Sequence, residues 1–163
     1  MSNPSFIVRR AEKADARAIL ECHREAIKAK AISHYSEKIV DSWAPEVNPS
    51  QIQQIEGVVL SPDLIYLVAE SAEGILGFGI VVLKANELRA VYVRPNRSGQ
   101  VGTGILKELL KLARVQGVKY LHMDSTVNAA EFYERNGFTS LSKGVHVLSS
   151  GQEMDCIKMR IDL

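Results

Sequence analysis

Val91-Tyr92-Val93-Arg94-Pro95-Asn96-Arg97-Ser98-Gly99-Gln100-Val101-Gly102-Thr103-Gly104-Ile105-Leu106 runs from an apolar strand, through a glycine-rich turn, into the start of a helix. Ile105, Leu106, Leu109, Leu110 and Ala113 then recur at helical spacing as a wide apolar stripe, and Gly117 ends the helix. Such a junction suits phosphate, because free backbone N–H groups and the positive helix end both face the ligand. Residues 98–104 are not a Walker loop, since no Gly-Lys-Ser/Thr follows. Nor are they a dinucleotide fingerprint, since the third glycine is replaced by Lys107. Alone, the run reads equally well as a tight strand-to-helix turn.

Upstream, residues 87–93 alternate, with Leu88, Ala90 and Tyr92 on one face and Glu87, Arg89, Val91 and Val93 on the other. Residues 65–69 and 75–83 are β-rich runs joined by a loop ending in Gly74, so three consecutive antiparallel strands are expected. Nearer the start lie a short strand at 6–8 and an amphipathic helix at 15–28. Two short helices follow, one capped by Ser36 and one by Asn48 with Pro49 and a Gln51 capping box. Downstream come a strand at 120–124, a helix at 129–135 stopped by Asn136-Gly137, and strand-like runs at 145–148 and 154–161. With no repeat or linker, residues 1–163 are expected to form one α/β domain around a mixed sheet.

Composition narrows the partners. Twenty Lys plus Arg against nineteen Asp plus Glu leave a formal charge of +1, which gives no long-range field for nucleic acid or an acidic membrane face. At 46% hydrophobic content the chain can bury a working core without staples, and Cys22 and Cys156 are expected to be reduced packing residues. No Cys/His cluster has zinc-ligand spacing, so no metal is expected. The first ten residues lack the apolar core of a signal peptide, and no apolar run reaches membrane-spanning length. A cytoplasmic location is expected.

The strand, turn and helix of residues 91–106 resemble the signature motif of the GNAT superfamily of N-acetyltransferases. Residues 128–138, Asn-Ala-Ala-Glu-Phe-Tyr-Glu-Arg-Asn-Gly-Phe, resemble its second signature, a helix carrying a tyrosine and ending in Gly-Phe. Ser33-His34-Tyr35-Ser36 and Trp43 add a looser likeness to the bacterial YafP-like branch. The resemblance implies the GNAT acyl-CoA N-acyltransferase fold, a mostly antiparallel mixed sheet flanked by helices and splayed open between the strands of 87–93 and 120–124. Acetyl-CoA would enter the split, its pantetheine on the backbone of Val91, Tyr92 and Val93. Its diphosphate would sit on the turn of Ser98, Gly99, Gln100, Val101, Gly102, Thr103 and Gly104. That turn is one residue shorter than the family pattern. The family's frequent asparagine, seven residues before the tyrosine, is Thr126 here. Asn128 reads first as a helix N-cap and second as a coenzyme contact.

Acetyl transfer to an amine needs a base for the amine proton and an acid for the departing thiolate. Tyr133, at the family's tyrosine position, is the candidate acid, or a half-buried packing aromatic. Glu87 is the candidate base, or a solvated charge at a strand edge. His34, Tyr35 and Trp43 would line the acceptor pocket, or form partial core. His122 reads as a structural histidine, and Asp124-Ser125-Thr126 has no triad spacing. The expected activity is direct acetyl transfer to a primary amine, small-molecule or peptide, by a chain able to pair as a homodimer. The alternative is an acyl-CoA-binding sensor or scaffold that lacks catalysis.

Overall fold

The computed structural model describes residues 5–97 and 99–163. Seven strands form one sheet in the order β1-β2-β3-β4-β5-β7-β6. They are β1 (Phe6–Arg10), β2 (Leu64–Ser71), β3 (Gly74–Val82), β4 (Glu87–Val93), β5 (Tyr120–Thr126), β6 (Thr139–Val147) and β7 (Glu153–Asp162). Every neighbouring pair is antiparallel except β4 and β5. The helices are α1 (Ala16–Lys30), α2 (Glu37–Trp43), α3 (Pro49–Val58), α4 (Gly99–Val115) and α5 (Ala130–Arg135). The fold is therefore α/β, with a mostly antiparallel mixed sheet flanked by helices.

Alternation along β2 buries both faces of the sheet. Ile65, Leu67 and Ala69 join a core beneath α4, while Tyr66 and Val68 join one beneath α1 and α3. The apolar stripe of α4 is fully inside, with Val101, Ile105, Leu106 and Leu109 at 0% exposure, so each contributes about 1.5–3 kcal/mol. Gly79 lets this helix lie close, because a Cβ there would come within 2.7 Å of Ile105 and Leu109. Both cysteines are free and buried. No helix among the described residues is long and apolar enough to cross a membrane.

Two local readings change. Residues 98–104 were expected to form a turn, but α4 begins at Gly99, so Gly102, Thr103 and Gly104 belong to its first turns. The chain turns earlier, at left-handed Asn96 (φ 63°). The second change is in β4, where Ala90 opposes Ile80 and Leu88 opposes Val81, leaving Arg89 as an extra residue in a β-bulge. Alternation predicted Leu88 with Ala90 and Tyr92. Instead Leu88 packs under α4 with Val91 and Val93, while Ala90 and Tyr92 pack on the α1 side. The bulge also brings Glu87 to a cavity lined by Ala90 and Tyr92.

The start of α1 is fixed to the sheet by charge. Arg9 of β1 donates to both carboxylate oxygens of Asp15, at 2.8 and 3.0 Å, and the Glu12 N–H adds a third bond at 2.8 Å. Burial alone would raise the Asp15 pKa, but the bonds from Arg9 and Glu12 outweigh it and hold it below the ordinary 3.8. A carboxylate with a depressed folded pKa stabilises above its unfolded pKa, and that stability is lost as pH falls through the folded value. Asp15→Asn should accordingly cost about 2–3 kcal/mol at pH 7. The difference from the parent should shrink towards pH 2 in urea melts. An equal loss at every pH would mean that the carboxylate charge is not what holds this corner.

Candidate functional site

The parallel pair β4 and β5 meets at one register position, Glu87 beside His122. The His122 N–H donates to the Asn86 carbonyl, and its ring Nε2 bonds the Ala85 carbonyl, both at 2.8 Å. Beyond this point β4 pairs only with β3 and β5 only with β7, so the sheet opens into a V. The Arg94 N–H donates to Leu76 on β3, so by alternation the backbone groups of Val91 and Val93 face the opening.

A cavity of about 310 Å³ fills this wedge, lined by Val91, Tyr92 and Val93 from β4, Gly102 from α4, and Asn128, Phe132 and Tyr133 around α5. Tyr133 is 4% exposed, its ring edge-to-face against Phe132 and Phe138 at 5.1 and 5.6 Å. Burial pushes its phenol pKa upward, so at neutral pH it keeps its proton. Tyr92 shifts the same way, through burial first and then the nearby Tyr133, with a hydrogen bond from Trp43 opposing. Arg97, Arg135 and Lys30 border the same cavity.

The second cavity, of about 980 Å³, opens on the α1 side and shares Trp43, Arg89, Tyr92, Asp124 and Thr126 with the wedge. Glu87 lines it, one quarter exposed and bound by both oxygens to Arg89 at 3.2 Å. Asp124 accepts from Lys158 at 2.8 Å and bonds His146 Nδ1 at 2.9 Å. Burial works to raise the Asp124 pKa, but the bonds from Lys158 and His146 prevail and lower it.

The structure gathers Val91, Tyr92, Val93, Gly102, Asn128 and Tyr133 around the wedge, with Glu87 and Trp43 at the adjoining cavity. Gly99 begins α4, Gln100 is exposed on its first turn, Val101 is buried in the core, and Thr103 and Gly104 are half-buried. Gly104 packs against the Phe6 ring, where a Cβ would stand 3.1 Å away. Ser98 lies outside the described residues. His34 is exposed and borders neither cavity. Tyr35 is a strut: its hydroxyl donates to the Asp155 carbonyl at 2.6 Å and accepts from the Val127 N–H at 3.0 Å.

Asn128 needs a correction as a cap. Ala129 holds the N-cap position of α5 with no side-chain cap, and the Asn128 Oδ1 is buried without a hydrogen-bond partner among the described residues. A buried, unpaired amide oxygen on a cavity wall is costly unless a ligand donor meets it. The outward groups of Val91 and Val93, the Asn128 oxygen and the first N–H groups of α4 therefore fit a ligand with a peptide-like arm and an anionic group. The Asp124, His146 and Lys158 cluster escaped sequence reasoning, because its members come from three strands, 22 and 34 residues apart. No group of three or more His, Cys, Asp or Glu poised for a metal occurs among the described residues.

Comparison with known proteins agrees with this geometry. The fold matches a GCN5-related N-acetyltransferase from Rhodopseudomonas palustris, with 24% identity and a TM-score of 0.80 over 100% of this chain and 98% of that one. It also matches the PaiA N-acetyltransferase of Thermoplasma acidophilum in complex with coenzyme A, with 22% identity and a TM-score of 0.78 over 98% and 99% of the two chains. A ribosomal-protein-alanine N-acetyltransferase from Brucella melitensis matches with 24% identity and a TM-score of 0.72, over 96% and 99%. No curated protein matches the sequence. Residues 62–140, which span β2 through the start of β6 and so both walls of the split, match the family model of the acetyltransferase (GNAT) domain.

Proposed function

We propose that the protein transfers an acetyl group from acetyl-CoA to a primary amine by direct attack within a ternary complex. The observation that supports this best is the split itself, which joins a narrow wedge suited to the coenzyme arm to a wider cavity suited to an acceptor. The PaiA structure that shares the fold contains coenzyme A. Acetyl-CoA supplies a thioester carbon activated for attack. In this reading the Val91 and Val93 backbone holds the pantetheine, Asn128 Oδ1 accepts from one of its amides, and the first turn of α4 holds the diphosphate. Glu87 takes the amine proton, directly or through water, while Tyr133 keeps its proton until the thiolate leaves. A cytoplasmic bacterial enzyme of the YafP-like branch, working as a homodimer, belongs to the same reading and rests on the resemblance.

Two linked measurements test it: the melting temperature with coenzyme, and CoA release across a panel of amines. Acetyl-CoA should raise the melting temperature by mass action, and at least one amine should release CoA. No thermal shift at millimolar coenzyme would overturn the reading; a shift without turnover on any amine would favour the sensor alternative.

Glu87→Gln refines the mechanism. It should lower kcat at neutral pH and leave coenzyme binding intact. Profiles of kcat and kcat/KM from about pH 6 to 10 decide the matter. Superimposable curves would reduce Glu87 to a partner for Arg89, and a raised KM with unchanged kcat would make it an attractor for a cationic acceptor.

A further inference from the structure

The larger cavity has two unlike walls. Its charged side chains, Glu87, Arg89, Asp124 and Lys158, stand on β4, β5 and β7, with the ring of His146 on β6, all beside the split. The opposite wall, built by α1, α2, α3, β2 and β3, presents Leu20, Trp43, Ile55, Tyr66, Phe78 and Ile80. Its single titratable nitrogen base is His23, whose pKa burial lowers to about 4, so that ring is uncharged at neutral pH. The rings interlock: His23 meets Tyr92 edge-on at 4.8 Å, Trp43 meets Tyr92 at 6.3 Å, and Tyr66 stacks on Phe78 at 6.3 Å. Among the described residues the lining carboxylates therefore sit beside the split, and the far wall's polar side-chain atoms are confined to the His23 and Trp43 ring nitrogens and the Tyr66 hydroxyl, with no charged group for a second cation.

We infer that the acceptor is a primary amine on an apolar, ring-bearing or alkyl body, its nitrogen beside the split near Glu87 and Asp124 and its body against the wall of Trp43, Phe78 and Ile80. This rests on the acetyltransferase reading and specifies its acceptor. Polyamines and aminosugars fit poorly, because a second ammonium would lose water against a wall with no carboxylate, and several hydroxyls would meet mostly apolar side chains with few partners. Each methylene placed on that wall should strengthen binding about fourfold. At the charged end, a bond forms between the amine nitrogen and the acetyl carbon, and the bond from that carbon to sulfur breaks with its electron pair staying on the sulfur. The departing CoA thiolate takes the Tyr133 proton, and the amine proton passes to the Glu87 carboxylate.

The test follows two signals on one set of amines: propylamine, hexylamine, 2-phenylethylamine and 4-phenylbutylamine against spermidine and kanamycin. Trp43 is the chain's one tryptophan and borders both cavities, so its fluorescence, read with CoA present, reports acceptor binding independently of turnover. CoA release from acetyl-CoA reports the reaction. From propylamine to hexylamine both affinity and kcat/KM should rise about fourfold per methylene. The phenylalkyl amines should exceed spermidine and kanamycin by about tenfold or more.

A flat series, or spermidine or kanamycin as the better acceptor, would overturn the inference while leaving acetyl transfer in place. Apolar amines that perturb Trp43 but release no CoA would sustain the cavity's preference and overturn acetyl transfer instead. Ile80→Gln should cut kcat/KM for 4-phenylbutylamine about tenfold and leave the coenzyme thermal shift unchanged. Leu20→Gln, half-buried on α1 in the same wall, serves as a second variant if the first fails to fold. Unchanged acceptor preference in a folded variant would overturn the inference.

Discussion

Tyr133→Phe is expected to lower acetyl transfer by about 10- to 1,000-fold while coenzyme affinity stays nearly unchanged. The ring packs between Phe132 and Phe138, and phenylalanine keeps both edge-to-face contacts, so the fold loses little. What disappears is the one phenol on the α5 side of the wedge, a proton donor that burial keeps protonated at neutral pH. Single-turnover rates are the fair comparison, since slow product release would mask a change in chemistry. A variant as fast as the parent in a single turnover removes Tyr133 from proton transfer and leaves it as packing.

Gly102→Asp is expected to weaken coenzyme binding by about 100-fold or more. Like charges some 4 Å apart near a protein surface repel by about 4 kcal/mol, and the new carboxylate would stand at the helix end proposed for the diphosphate. The backbone tolerates a side chain here, because a Cβ would stand 3.4 Å from Phe132 and 3.5 Å from Val93, ordinary contact distances. Gly102→Ala should therefore bind nearly as the parent does. Calorimetric titration with CoA, together with the coenzyme-induced melting shift, separates the three proteins. If the aspartate variant folds and binds like the alanine one, the diphosphate lies elsewhere.

The legible part of this fold was written in local signals. Asn48 and Gln51 exchange both bonds of the capping box, Ser36 accepts from the Ile39 N–H, and Gly137 takes its left-handed conformation just after α5. Each depends on residues only a few positions apart. The bulge at Arg89 was not legible, since Glu-Leu-Arg-Ala-Val-Tyr-Val alternates plausibly in either register and only pairing with β3 decides between them. The site divides the same way. The wedge residues lie within two short motifs, whereas the Asp124 cluster and the apolar wall opposite it are assembled from strands and helices far apart in the chain. Asn128 failed as a cap because the loop between β5 and α5 turns its side chain to the wedge, and only the folded loop shows that its oxygen lacks a partner.

The extra residue at Arg89 gives β4 something like a reading frame. Upstream of it one parity of positions serves the α4 side, and downstream the other does. A single insertion or deletion between Leu88 and Val93 would exchange the side chains offered to coenzyme and acceptor along the rest of the strand, whereas a change of two residues would restore the phase. Variation in this chain should therefore be tolerated in β4 by substitution and in its loops by length, with the strand's count held fixed.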